Sequence, residues 1–374
     1  MKICFVAPRL HTNQHAWIDA LQERGHEVLF LVNTQGHPTQ QHPNFTPTAI
    51  KTKHVSWLTA LIVKACLKIF NTKSRGTFFT RPQLRHLYKT LKESSPDVVI
   101  VRDVAQPLSF WTFTICRLLR LRTILYSQHP LETKVPFHVR FFQFFGLVPR
   151  HRITPVRHDT KHTHNPQTNT YYVPLISPLL LEQPVIMTPP QDQLNIIFVG
   201  KFSLERKQHL LMLRAFSNIL KKCSAFLTMI GSADPKKPPA QLQQAQAFVA
   251  GHDLETVVDI KINVPHIQMV EEYKQHDIMA LPSTEEPISI SPIEAMGCGL
   301  PVIITDSNGA KGCVAEGETG IVIPSHNQAA LEESLLHLNN RENLRFQSKQ
   351  AHAYLQKNHT TDVFYYYIEK AFES

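Results

Sequence analysis

The chain has 374 residues, 43% hydrophobic and 18% charged, a balance that belongs to a globular protein of about two domains and excludes a disordered or low-complexity chain. Lys and Arg number 39 against 30 Asp and Glu, a net charge of +9, and the six cysteines are scattered without CxxC spacing. They read as reduced core thiols of a cytoplasmic protein rather than a disulfide framework. Lys2–Pro8 is a short apolar run that predicts a buried strand, and it is too short and too soon broken by Arg9 for a secretory leader. His15–Arg24 predicts a helix with Trp17, Ile18 and Leu21 on one side, closed by Gly25. Glu27–Asn33 predicts the second strand, completing a βαβ unit. The run Trp57–Phe70 is interrupted by Lys64 and Lys68, so it does not reach the roughly 20 apolar residues of a spanning helix. Pro82–Lys92 and Phe110–Leu121 predict helices that alternate with strands at Asp97–Arg102 and Thr123–Ser127. Continuous apolar strands alternating with helices imply a parallel sheet covered on both faces.

A Pro-rich stretch without a clear period, 176–194, interrupts the alternation, and the linker is set at 179–194 within it. The pattern then restarts. Strands are expected at Asn195–Val199, Ala225–Ile230, Thr256–Ile260, Ile278–Leu281 and Pro301–Thr305. Helices are expected at Lys207–Leu220, Gln268–Gln275, around Ile293–Met296, at His326–Leu338, Arg341–Asn358 and Thr361–Phe372. The fold class is α/β, with two consecutive doubly wound domains. Ligands of such sheets sit beyond the carboxyl ends of the strands, so two of them facing each other would form a central cleft.

The charge is uneven. Residues 1–190 carry 23 Lys and Arg against nine acids, a net of +14, while the remainder is at −5. Stretch 51–92 has ten basic residues and no acid, interleaved with aromatic rings, and stretch 134–157 has five basic residues, no acid and the run Phe141-Phe142-Gln143-Phe144-Phe145. A merely solvated basic face and a nucleic-acid surface compete here with docking on an anionic membrane surface. The last fits basic and aromatic residues on one amphipathic element, and no nucleic-acid motif accompanies the charge.

The sharpest pattern is Leu281–Gly299, LPSTEEPISISPIEAMGCG, with Glu286 in a loop after a strand and Glu294 seven residues beyond it in the next helix. A loop whose amides converge before a helix suits a diphosphate, so Ile288, Ser289, Ile290 and Ser291 are candidate donors of hydrogen bonds. An ionised carboxylate grips hydroxyl groups, a sugar for Glu286 and a ribose diol for Glu294. The 21 histidines invite a metal, but the i,i+4 pairs His11/His15 and His158/His162 bring no third ligand, and there is no DxD triplet. No metal and no other cofactor are expected.

With these residues in place the sequence resembles the retaining GT-B glycosyltransferases of family 4, also called glycosyl transferases group 1. The resemblance rests on Glu286-Pro287, on Glu294-Ala295-Met296-Gly297-Cys298-Gly299-Leu300-Pro301-Val302, on Gly317–Val322, and on Phe198-Val199-Gly200-Lys201 followed by Arg206-Lys207. It is specific over 195–338 and weaker in the first half, where the loop Pro8–His15 lacks the family's glycines. It implies a GT-B architecture of two Rossmann-like domains. Residues 1–178 would bind the acceptor, with a C-terminal helix in 359–374 crossing back, and 195–358 would bind the donor. The implied reaction moves a sugar, with retention, from a nucleotide-diphosphate donor, UDP-sugar favoured, to a hydroxyl of a glycan or lipid-linked acceptor in cell-envelope synthesis. Lys201 and Lys207, or Arg206 in place of Lys207, would hold the diphosphate beside Gly200. Glu286 would orient the sugar and Glu294 the ribose, with Asn263 near the base. His129 falls where the family often keeps a His near the transferred sugar. His11, Asn13, His15 and Asp103, with Arg102, are acceptor-side candidates. The protein would be cytoplasmic and peripheral on the membrane. A nucleotide-sugar hydrolase, epimerase or phosphorylase on the same fold, and a non-catalytic membrane- or nucleic-acid-binding protein, are the rival readings.

Overall fold

The computed structural model describes residues 1–33, 42–54, 80–104, 106–158, 162–177, 179–184 and 193–373. The chain divides into two compact units. The first holds 1–155, 161–175 and 364–374, and the second holds 156–160 and 176–363.

The first unit is built on an eight-stranded sheet. In chain order its strands are β1 (Lys2–Ala7), β2 (Glu27–Val32), β3 (Thr48–Ala49), β6 (Val98–Arg102), β7 (Thr123–Tyr126), β8 (Arg152–Thr154), β9 (His164–Asn165) and β10 (Thr170–Tyr172). Strands β4 (Thr52–His54) and β5 (Thr80–Pro82) form a separate ribbon. The sheet order is β3-β2-β1-β6-β7-β8-β10-β9, parallel except for the β9–β10 edge. Ile3 to Ala7 and Val98 to Val101 are all buried, as expected of central strands covered on both faces. Helices His15–Glu23, Leu84–Ser94 and Pro107–Leu118 follow their strands with the crossover spacing read from the sequence. The last helix, Thr361–Glu373, closes this unit: Phe364 lies 5.2 Å from the Trp17 ring, and Phe364, Ile368 and Ala371 are fully buried. Trp17 itself donates Nε1–H to the Pro174 carbonyl at 2.9 Å.

The second unit has a six-stranded, wholly parallel sheet. Its strands are β11 (Gln193–Val199), β12 (Ser224–Gly231), β13 (Val258–Ile262), β14 (Ile278–Leu281), β15 (Val302–Thr305) and β16 (Gly320–Ile323), in the order β13-β12-β11-β14-β15-β16. The order reverses between β11 and β14. The loops after these two strands therefore flank the crevice where doubly wound sheets bind ligands. They carry Gly200–Lys207 and Ser283–Ser291.

Several local expectations are corrected. The helix expected from Lys207 begins at His209, because Glu205–Lys207 forms a 3-10 turn and Gln208 has a φ of 60°. Helix Ala240–Gly251 was not anticipated, since only Leu242, Ala245 and Val249 supply its buried side. Helix Phe137–Phe144 and strands β8, β9 and β10 were also not anticipated. The linker expected at 179–194 is only partly within the described residues, and residues 176–177 and 179–184 fall in the second unit. Residues 55–79 of the basic stretch 51–92 lie outside the described residues.

Candidate functional site

The loop after β14 is a tightly bonded platform. Asn308 is fully buried, donates to Ser283 Oγ at 3.2 Å and Ser289 Oγ at 3.3 Å, and accepts from the Ala310 amide at 3.0 Å. The Gly309 amide donates to the Glu286 carbonyl at 2.9 Å. A side chain at Gly309 would put its Cβ 1.8 Å from the Pro287 carbonyl oxygen, so this approach admits only glycine.

Held on that platform, the buried Glu286 carboxylate meets two cations. Lys207 Nζ stands 2.9 Å from its Oε2. Arg206 donates Nε to Oε2 at 3.0 Å and Nη2 to Oε1 at 3.3 Å. Lys207 also donates to Ser289 Oγ at 3.4 Å. Burial raises the Glu286 pKa, but Lys207 and Arg206 outweigh it and hold the carboxyl below its ordinary value. Burial lowers the Lys207 pKa, with Glu286 acting against it. The Thr284 amide donates to the Arg206 carbonyl at 2.8 Å and pins the two loops together. Two cations on one carboxylate leave one positive charge in excess, which suits an incoming anion. Sequence reading set Lys207 against Arg206 for one place; both are at Glu286.

Glu294 lies on the short helix Ser291–Gly297, all seven residues of which are buried. Gly297 lets Ser177, Leu179 and Leu180 approach, since a Cβ there would lie 2.5 Å from Ser177 Oγ, and Gly299 ends the helix with a φ of 90°. The Glu294 carboxylate pairs with His266 Nε2 at 2.8 Å through Oε1 and accepts from the Tyr273 hydroxyl at 3.1 Å through Oε2. The hydrogen bond to Glu294 raises the His266 pKa despite burial. Burial and Glu294 push the Tyr273 phenol up, so it remains a donor. His266, Tyr273 and Asn308 were missed by sequence reading. Tyr273 shows only as an apolar position of a predicted helix, and a bond across 28 residues leaves no local signal.

The other candidates of the second unit have these surroundings. Gly200 ends β11, where a Cβ would come 3.0 Å from the Phe198 ring and 3.2 Å from Lys207 Cδ. Lys201 is half-buried and starts the turn that leads to Lys207, its carbonyl accepting from Leu204 N at 3.1 Å. Ile288, Ser289 and Ser291 are buried and Ile290 is half-buried. The Asn263 side chain bonds to the backbone of Ala233, accepting at 3.1 Å and donating at 2.8 Å, and so fastens β13 to the loop after β12.

In the first unit, Asp103 has a φ of 62° and accepts from the Val104 amide at 2.6 Å. His129 follows β7, and its carbonyl accepts from Thr154 Oγ1 at 2.8 Å. The residue is exposed, but the protein around its ring and then Arg152 lower its pKa, while Asp103 raises it. Arg102 donates to Gln128 at 2.9 Å. The glycine-free loop forms a 3-10 turn at Thr12–Gln14, which holds Asn13, and His11 accepts from Arg9 at 3.3 Å. His15 is buried against the ring of His42 at 4.8 Å, and His42 pairs with Asp19 at 3.0 Å. His15 thus packs at the start of the first helix.

Residues 182–354 match the model of the family described as glycosyl transferases group 1. The second unit is a glycosyl transferases group 1 domain. Among curated relatives, a D-inositol 3-phosphate glycosyltransferase of Paenarthrobacter aurescens is 25% identical over 148 residues, 38% of this chain and 35% of that protein. Its counterpart in Corynebacterium glutamicum is 37% identical over 71 residues, 19% of this chain and 17% of that protein. The chain therefore matches only about a third or less of the length of these relatives. Among solved structures, a glycosyltransferase from Rickettsia africae superimposes with a TM-score of 0.73 at 14% identity, covering 100% of this chain and 98% of the other. The Anabaena protein HepE, solved with UDP and glucose, gives 0.65 at 12% identity over 100% and 99%. At these identities the likeness establishes the GT-B fold of two Rossmann-like units. The glycosyl transferases group 1 domain contains both glutamates and both cations described above.

Proposed function

We propose that the chain transfers a sugar, with retention, from a UDP-linked donor to a hydroxyl of a glycan or lipid-linked acceptor at an anionic membrane face, as a step of cell-envelope synthesis. The observation that carries this reading is the clasp of Lys207 and Arg206 on Glu286 at the β11/β14 crevice of a group 1 domain. The donor diphosphate takes the excess positive charge of the clasp and shares Lys207 and Arg206 with Glu286, with Lys201 beside them. As the glycosidic bond breaks, negative charge grows on the leaving phosphate, and cations already in place stabilise it without reorganising. Glu286, partly released from its cations, accepts hydrogen bonds from the sugar. Glu294 is fixed by Tyr273, and its Oε1, shared with His266, accepts from the ribose diol. The acceptor hydroxyl attacks on the face the phosphate leaves, and that phosphate takes its proton. His129 and Asp103 of the first unit are assigned to the sugar and the acceptor. No protein metal is required by this scheme, because lysine and arginine supply the countercharge.

The UDP preference draws support from HepE, which is solved with UDP. The envelope setting draws support from another structural neighbour, a lipopolysaccharide outer core galactosyltransferase, with a TM-score of 0.66 at 14% identity. Calorimetric titration with UDP-, GDP- and ADP-sugars, beside a Glu294→Ala variant, tests the reading. One nucleotide-sugar should bind, and the variant should lose about 1.5–3 kcal/mol, the range for a hydrogen bond to a charged group. Equal binding by the variant, or no binding of any donor, would overturn it.

A further inference from the structure

Four large rings on or just past helix Phe137–Phe144 are exposed to differing extents. Phe137 is 66% exposed, Phe141 42%, Phe144 82% and, just past the helix, Phe145 56%. They form one continuous strip, with centroids 6.4 Å apart for Phe137–Phe141, 5.0 Å for Phe141–Phe145 and 5.3 Å for Phe144–Phe145. Val139 and Phe142, on the opposite side by helical spacing, pack into the core of the first unit. The helix is thereby anchored by one face while the phenylalanines are presented by the other. Contiguous apolar surface of this kind is uncommon on soluble domains and marks an interaction site.

The surroundings say what kind. Lys134, Arg140 and Arg150 are exposed on the same segment, and Arg117, Arg120 and Arg122 are exposed at the end of the preceding helix. Arg117 is tied to the strip, since its guanidinium donates to the carbonyl of Gly146. Leu118, beside it, is 73% exposed. Between Val104 and His158 the only acid is Glu132. Purely apolar rings backed by cations, with almost no acid, match an anionic lipid interface, in which rings enter the acyl boundary and cations stay at headgroup depth. A nucleic acid is disfavoured because no nucleic-acid motif accompanies the charge.

We propose that helix Phe137–Phe144 and Phe145 are the element by which the first unit docks on an anionic lipid surface, Phe144 and Phe145 entering the interface with Lys134, Arg117 and Arg140 against the headgroups. This deepens the membrane placement made above and rests on it, but it does not depend on the identity of the sugar donor. The test is sedimentation of the full chain with vesicles of phosphatidylcholine alone and of phosphatidylcholine mixed with phosphatidylglycerol, at low and high salt. The chain should bind the mixed vesicles, and salt should weaken the binding. A Phe144→Ser/Phe145→Ser variant should lose about tenfold or more in partitioning, and Lys134→Gln/Arg140→Gln should lose its preference for the anionic vesicles. Undiminished binding by the phenylalanine variant, or no binding by the parent chain, would overturn the proposal. So would a change of oligomeric state on mutation without vesicle binding, which would assign the strip to a second copy. Titration of the same variants with UDP-sugar in solution separates the two readings. Unchanged donor binding with lost vesicle binding is the expected pair, and absent donor binding with intact vesicle docking would sink only the transferase reading.

Discussion

Lys207 stands 2.9 Å from the Glu286 carboxylate although burial works against the charge of both. Lys207 and Arg206 together offset the cost of burying the Glu286 charge, and Glu286 offsets that of Lys207. Lys207→Ala should leave a buried carboxylate held from one side by the partly exposed Arg206. Removing one partner of a buried pair costs about 3–5 kcal/mol, and the remaining Arg206 should bring the loss to the lower end, read by urea unfolding. Lys207→Met combined with Glu286→Gln should recover part of it. The acid limb is a second readout. The Glu286 pKa is held below its ordinary value of 4.5, so its stabilisation is present above that value and is lost as pH falls through the lower folded one. Glu286→Gln should flatten stability over that acid window.

The His266–Glu294 bond predicts the opposite slope. The His266 pKa is raised from its ordinary 6.5, so its contribution is complete below that value and fades as pH rises through the raised one. Thermal melts of the parent chain should show this loss on the alkaline side of 6.5, and His266→Gln should remove it. Retention of the same slope in the variant would assign it to another group.

Gly309→Ala should disturb the Glu286 loop, because its Cβ would meet the Pro287 carbonyl. Overpacking of this kind costs about 1–3 kcal/mol, and donor affinity should fall with stability. Gly251 is the control. A Cβ there meets nothing within 4 Å and the residue ends a helix, so Gly251→Ala should be neutral or gain up to about 1 kcal/mol. Equal losses at both positions would show that the close contact at Gly309 is not the cause.

Phe364→Ala should destabilise the first unit by about 3–5 kcal/mol, the usual range for a fully buried phenylalanine. The loss should be seen in the fluorescence of Trp17, its ring neighbour. Donor binding by the second unit should survive.

Strand Ile278–Leu281 and helix Arg341–Asn358 lie where the sequence placed them, residue for residue. Both have a strong signal, an apolar run in one and a long amphipathic period in the other. Strands β8 to β10 were not legible because two or three residues such as Arg152-Ile153-Thr154 carry no period. Their pairing comes from neighbours distant in sequence. The site divides in the same way. Gly200, Arg206, Lys207, Glu286 and Glu294 belong to contiguous motifs that make them candidates in the sequence, and the structure brings Arg206, Lys207 and Glu286 together. The partners that fix them, Asn308, His266 and Tyr273, act through side-chain bonds across long separations. Asn263 sits in a suggestive place, yet its amide is used on the backbone, a commitment that spacing alone does not reveal.

The return of the Thr361–Glu373 helix to the first unit has a consequence for synthesis. Chains emerge from the ribosome amino end first, and domains generally fold as units in that order. Here the order is inverted. Residues 176–363 are all available before Phe364 and Ile368 emerge to cover Trp17 and its neighbours. The second unit can therefore complete its core while the earlier-made unit still exposes part of its own. During that interval the Trp17 face is open to solvent, and it is the surface on which a chaperone or an aggregation partner would first gain a hold.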